Sequence, residues 1–188
     1  MARSEFVKLS LLVAAGVFGV AASLCWRPGG AGLLGAALAL TMLAIAVIDW
    51  RMLTIPDGLN ALAVALGLAG AVLGLERWAE WPGAILAALI RGAAMMGLFL
   101  AFRLGYRRLR GREGMGLGDV KLAGVAGIWL DWPSLPLTVE IAALSALGFV
   151  SFQLVRSRRA LDPLTKLPFG TFFAPAIWMG WLLAPWWN

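Results

Sequence analysis

The chain contains no histidine and a single cysteine, Cys25. Without histidine there is no Ser-His or Cys-His nucleophile system and no imidazole metal ligand. One cysteine excludes an all-cysteine zinc site. Cys25 itself reads as a small apolar residue near a helix end. Charge is also scarce: charged residues make up 14% of the 188 positions, against about 25% in an ordinary soluble domain. No polar interval is long enough to form a soluble domain.

Apolar residues are abundant. They are 61% of the chain and come in long blocks rather than along one amphipathic face. This pattern identifies an integral membrane protein, with residues 1–188 forming one membrane domain. The net charge of +6 does not point to nucleic acid, because the basic residues cluster in short loops between apolar runs. Cytoplasmic loops of membrane proteins have this bias, and the expected neighbours are anionic lipid headgroups. The first apolar run, preceded by Arg3 and including Lys8, is expected to be a retained helix rather than a cleaved signal.

A spanning helix takes about 20 apolar residues. The candidate spans are 6–25, 31–49, 58–76, 83–104, 119–132, 136–155 and 168–187. The expected fold is therefore all-α, a polytopic bundle of about seven membrane helices, with six to eight compatible with such lengths. The strongest basic segments, Tyr106 to Arg112 and Arg156 to Arg159, belong in the cytoplasm. Counting crossings from them places the N-terminus and the segment Asp49 to Asp57 on the same side. The tryptophans of the Glu76 to Pro82 connection and the Trp186-Trp187 pair then fall at the opposite interface. Arg91 and Glu140, inside apolar runs, are expected to pair with one another.

This topology gathers Asp49, Asp57 and Asp119 at the cytoplasmic face, although they are far apart in sequence. Asp119 follows Gly114, Gly116 and Gly118 in Gly-Arg-Glu-Gly-Met-Gly-Leu-Gly-Asp-Val-Lys121. The apolar stretch beyond Lys121 runs only from Leu122 to Leu130, about 14 Å of helix against a hydrocarbon layer of about 30 Å. Either the bilayer thins there or Asp119 sits below the headgroups in a protein-lined wet cavity. Two carboxylates brought within a few ångströms share a proton. The ionised one then takes a proton from water while the protonated one polarises a peptide carbonyl, and no metal is needed. Taken alone, each acid is equally accounted for by ending a helix at the interface.

Three motifs in order resemble a known family. Gly111 to Lys121 is similar to the GxGD signature of the type IV prepilin peptidases. Asp49-Trp-Arg-Met-Leu-Thr-Ile-Pro-Asp57 resembles their first aspartate motif, and Lys166-Leu-Pro-Phe-Gly170 their C-terminal Pro-Phe-Gly element. The resemblance covers residues 31–188. It implies that Asp49 and Asp119 are the catalytic pair of an intramembrane aspartic endopeptidase in the bacterial inner membrane. Its active site would face the cytoplasm, and its substrates would be prepilins or pilin-like subunits with basic leaders. Larger members carry N-terminal CxxC pairs, and many methylate the new N-terminus with S-adenosylmethionine. The pairs are absent here, so the chain is similar to the compact peptidase-only form of tight-adherence pilus systems, for which no cofactor is expected.

Around the pair, Gly116 and Gly118 are candidates for close backbone approach. Asp57 is a candidate to tune the dyad, to bind substrate or to cap the following helix. Lys121 is expected to stabilise a carboxylate or to reach the headgroups. Glu113 and Arg51 are candidates for cytoplasmic ion pairs, and Pro168 and Gly170 for shaping the chain beside the dyad. The competing readings are a bifunctional peptidase and N-methyltransferase, a small proton-coupled transporter, and a non-catalytic pilus assembly protein.

Overall fold

A computed structural model describes residues 2–74, 83–157 and 167–184. The Glu76 to Pro82 connection, Arg158, Arg159, Lys166 and the Trp186-Trp187 pair lie outside these residues. Seven helices are present among the described residues: α1 Ala2–Trp26, α2 Gly30–Met52, α3 Asp57–Val72, α4 Gly83–Arg110, α5 Leu117–Trp129, α6 Ser134–Ser157 and α7 Phe169–Leu183. Each coincides with one expected span. Leu9–Trp26, Gly30–Met52, Gly83–Arg110 and Ser134–Arg156 are long and apolar enough to cross a membrane, which makes this a polytopic helical membrane protein. The helices α3, α5 and α7 are shorter, at 16, 13 and 15 residues.

The short helices are the central ones. α5 packs against α3, α4 and α7, and α2 packs against α1, α3 and α7. α1 and α6 lie at the edges, α1 against α2 and α6 against α7. On α5 every residue from Leu122 to Ile128 is buried. Protein rather than lipid therefore surrounds the helix that the sequence marks as too short to span. Close packing with α4 depends on Gly127, whose position admits no Cβ beside the Arg91 carbonyl and the Gly92 backbone.

The chain changes direction where its sequence demands. Pro28 and Gly29, the latter at φ 86°, separate α1 from α2. α2 ends on Leu53 at φ 53°, the one non-glycine residue among those described with positive φ; its N–H donates to the Asp49 carbonyl at 2.9 Å. A left-handed leucine stores strain, and such residues concentrate at functional sites. Ile55 and Pro56 follow, and α3 begins at Asp57.

Two expectations are corrected here. Arg91 is buried, and its Nε donates to the Gly127 carbonyl at 3.1 Å. Glu140 is exposed on α6 and makes no ion pair among the described residues, because α6 packs on α7 and not on α4. Asp57 does not cap α3: Pro56 occupies the N-cap position, and Asp57 is the first helical residue.

Candidate active site

Asp49 projects from the last turns of α2 and is 5% exposed. Its Oδ2 accepts the Thr171 N–H at 2.9 Å, and the Thr171 hydroxyl lies 3.4 Å away. The same hydroxyl donates to the Ala46 carbonyl at 3.2 Å, which ties α7 to α2 one turn earlier. Gly170 N–H is also directed at Asp49. These donors are available because the first N–H groups of a helix have no intrahelical acceptor, and Gly170 and Thr171 are the second and third residues of α7.

Asp119 lies in the first turn of α5, three residues after the N-cap Gly116. Its Oδ2 accepts the Gly116 N–H at 3.3 Å, the carboxylate half of a capping box. Glycine has no side chain to return the bond. Oδ1 of Asp119 is buried and has no hydrogen-bond partner. Asp119 and Asp49 are close enough to interact electrostatically, and the Gly170 N–H faces both. The two aspartates, from separate helices, thus lie within electrostatic reach of each other beside the first turn of α7.

Ile55 is the wedge between the motifs. A Cβ at Gly170 would lie 2.7 Å from Ile55 Cδ1 and 2.9 Å from Asp49 Oδ2, and one at Gly118 would lie 2.9 Å from Ile55 Cβ. Both positions therefore require glycine for approach. Aromatic rings close the apolar sides. Phe149 of α6 packs on Trp50 and on Phe172, and Phe99 of α4 stacks on Phe173 at 5.6 Å between centroids.

The remaining candidates are arranged around this centre. Lys121 Nζ pairs with Asp57 Oδ1 at 2.6 Å on the exposed surface, so each satisfies the other. Glu113 pairs with Arg103 at 2.7 Å and less closely with Arg107 at 3.9 Å. Arg51 is exposed and takes part in none of the described ion pairs. Pro168 is the N-cap of α7. Among the described residues no group of three or more His, Cys, Asp or Glu side chains gathers to hold a metal ion.

Sequence reasoning missed two residues. Arg103 is largely buried and donates to the Met115 carbonyl at 2.8 Å as well as to Glu113, clamping the glycine loop onto α4. Its signal was its place at the inner end of an apolar run, on the same helical face as Arg107. Thr171 carried no signal beyond its position after Pro-Phe-Gly.

Comparison with known proteins agrees with this geometry. Residues 36–151 match the model of the Type IV leader peptidase family. Among curated proteins, the chain is 37% identical over 165 residues to a "Prepilin leader peptidase/N-methyltransferase" of Burkholderia pseudomallei (strain 1026b), covering 86% of this chain and 50% of that protein. Proteins of the same name from Pseudomonas aeruginosa and Aeromonas hydrophila are 34% and 30% identical, over 84% and 87% of this chain and 52% and 53% of theirs. The chain spans about half the length of the curated relatives it matches. No solved structure matches it. With three motifs folded onto one centre and most of the chain aligned, the protein belongs to the type IV leader peptidase family.

Proposed function

We propose that this protein is an aspartic endopeptidase that removes the basic leader from type IV prepilins or pilin-like subunits at the cytoplasmic face of the bacterial inner membrane. The observation that carries this reading is the convergence of Asp49 and Asp119, from separate helices, on the Gly170 N–H. The names of the relatives supply the substrate class. The orientation rests on the basic residues Arg107, Arg108 and Arg110, which end α4 beside the loop that precedes Asp119.

In the proposed reaction one carboxylate removes a proton from water as its oxygen attacks the scissile carbonyl. The other, protonated, donates to the carbonyl oxygen. Collapse of the tetrahedral intermediate breaks the C–N bond, and a proton passes to the leaving amine. Asp49 and Asp119 are the catalytic residues. Gly116, Gly118, Gly170 and Pro168 shape the backbone around them, and Glu113 steadies the loop through Arg103.

The relatives' names also include N-methyltransferase, which implies S-adenosylmethionine. A groove beside the site, about 510 Å³, runs between α3, α4 and α5 and is lined by residues such as Val64, Met96 and Gly124, with the Asp57–Lys121 pair at one end. That largely apolar lining offers few partners to a zwitterionic amino acid joined to a nucleoside, and leader cleavage is the reaction we propose. The test is incubation of purified protein with a prepilin and mass spectrometry of the products. The expected result is a cut before the apolar segment, an unmethylated product, and no cleavage by Asp49→Ala or Asp119→Ala. Cleavage by either variant at near the parental rate would remove the dyad.

A further inference from the structure

We propose that the amino-terminal turn of α7 is the positioning element that makes the dyad asymmetric. Thr171 holds Asp49 as the carboxylate that receives the proton from water, and Asp119 carries the shared proton. The inference rests on the peptidase reading above and assigns each aspartate its part in it.

The two carboxylates stand in different surroundings. Asp49 lies near the carboxyl end of its own helix, where the helix dipole disfavours negative charge. Its Oδ2 nevertheless has the Thr171 N–H at 2.9 Å and the Gly170 N–H directed at it, both from the positive end of α7. The Gly170 N–H faces Asp119 as well, so the Thr171 N–H is what Asp49 has alone; Asp119 otherwise has the Gly116 N–H at the longer distance of 3.3 Å, on Oδ2, and its buried Oδ1 makes no hydrogen bond. A buried anionic oxygen without a donor is costly, whereas a carboxylic O–H at that atom is itself a donor. Repulsion between the two groups keeps both from being charged together.

On elements packed around the dyad, the other described ionisable groups are mostly paired or exposed. Asp57 pairs with Lys121, and Glu113 with Arg103 and Arg107. Glu5 of α1, Arg51 of α2 and Arg156 of α6 are exposed. α7 contributes no ionisable side chain among its described residues.

The proton path then closes. Asp49 takes a proton from water as the water oxygen bonds to the carbonyl carbon, and Asp119 gives its proton to the carbonyl oxygen. On collapse Asp49 returns its proton to the departing amine as the C–N bond breaks. Asp119 recovers a proton from the intermediate's hydroxyl, which becomes the new carbonyl. Both residues end as they began.

The experiment measures kcat/KM against pH for a prepilin substrate with parent, Thr171→Pro and Thr171→Ser. Proline removes the 171 N–H and is tolerated in the first turn of a helix. Thr171→Pro should move the acidic limb to higher pH by about one unit, the weight of one charge-assisted hydrogen bond. Thr171→Ser, which keeps the N–H and a hydroxyl, should keep the parental limb. A Thr171→Pro profile that superimposes on the parent, or one in which only the alkaline limb moves, overturns the proposal.

If elution and thermal melting show Thr171→Pro unfolded, the asparagine variants decide. An amide donates a hydrogen bond in place of an acid but cannot receive a proton from water. Asp119→Asn should therefore retain at least about tenfold more residual cleavage than Asp49→Asn. Equal residual rates, or the reverse order, overturn the assignment. A parent protein that cleaves no prepilin refutes the peptidase reading instead, so the two failures are distinct.

Discussion

Gly170→Ala is the sharpest single perturbation of this site. The added methyl would lie 2.9 Å from Asp49 Oδ2, 3.1 Å from its Cγ and 2.7 Å from Ile55 Cδ1. Ordinary carbon contacts are about 3.5–4.0 Å, so both neighbours must shift, by up to roughly an ångström, and how far the carboxylate goes depends on how little Ile55 can yield. Ile55 is hemmed in: it is 6% exposed and already abuts Gly118. The carboxylate must therefore give way. Overpacking costs about 1–3 kcal/mol, offset by about 0.5–1 kcal/mol gained when alanine replaces glycine in a helix. The net loss of stability is thus about 0–2.5 kcal/mol, too little to unfold the protein. Activity should suffer far more, because a misplacement of about 1 Å costs on the order of a hundredfold in rate. The assay is prepilin cleavage beside thermal melting, with Gly105→Ala as control. Gly105 lies in α4, and a methyl added there would have nothing within 4 Å, so that variant should melt slightly higher and cleave normally. A Gly170→Ala protein with near-parental activity, or one whose activity falls only in step with its unfolded fraction, would refute the geometry.

Other consequences are smaller. Asn60 is 5% exposed and both polar atoms of its amide are buried without partners, so Asn60→Leu should stabilise by about 1–3 kcal/mol, seen as a higher melting temperature. Arg103→Met removes the 2.8 Å bond to the Met115 carbonyl and the pair with Glu113. It should cost about 1–2 kcal/mol and slow cleavage about tenfold by loosening the loop before Asp119, with Arg103→Lys intermediate in parallel melting and cleavage assays. Lys121→Met should change stability by less than about 1 kcal/mol, since its pair with Asp57 is exposed. A double-mutant cycle with Asp57→Asn at low and high salt would measure that coupling.

The seven helices were legible because apolar block length and basic loops are properties of the chain alone. Asp49 and Asp119 were legible as candidates because an acid at the end of an apolar run is costly without a purpose. Their partners were not, since partnership depends on which helices touch. Arg91 and Glu140 both stood out as charges in apolar runs. Pairing them required α4 and α6 to be neighbours, and α6 instead lies against α7. Arg103 looked like one more positive-inside residue, although its side chain turns back to the Met115 carbonyl. Thr171 contributes chiefly a backbone N–H, which no residue-type pattern reveals.

Helix length and helix direction together explain why a pair of acids is stable at this place. α3, α5 and α7, at 16, 13 and 15 residues, are about 24, 20 and 22 Å long, each shorter than a hydrocarbon layer of about 30 Å. Their amino termini, at Asp57, Leu117 and Phe169, meet around Ile55, where the Gly118 and Gly170 backbones abut it. Three helix starts thus gather at one end of the bundle. Each start also contributes unpaired N–H groups and a partial positive charge of about half a unit. Those partial charges offset part of the cost of burying the two carboxylates. Extending α5 at its amino end by one turn of leucine and alanine, between Gly116 and Leu117, would carry the Gly116 N–H away from Asp119 and should abolish prepilin cleavage. The shortness of α5 is therefore a condition of the chemistry as well as of the fold.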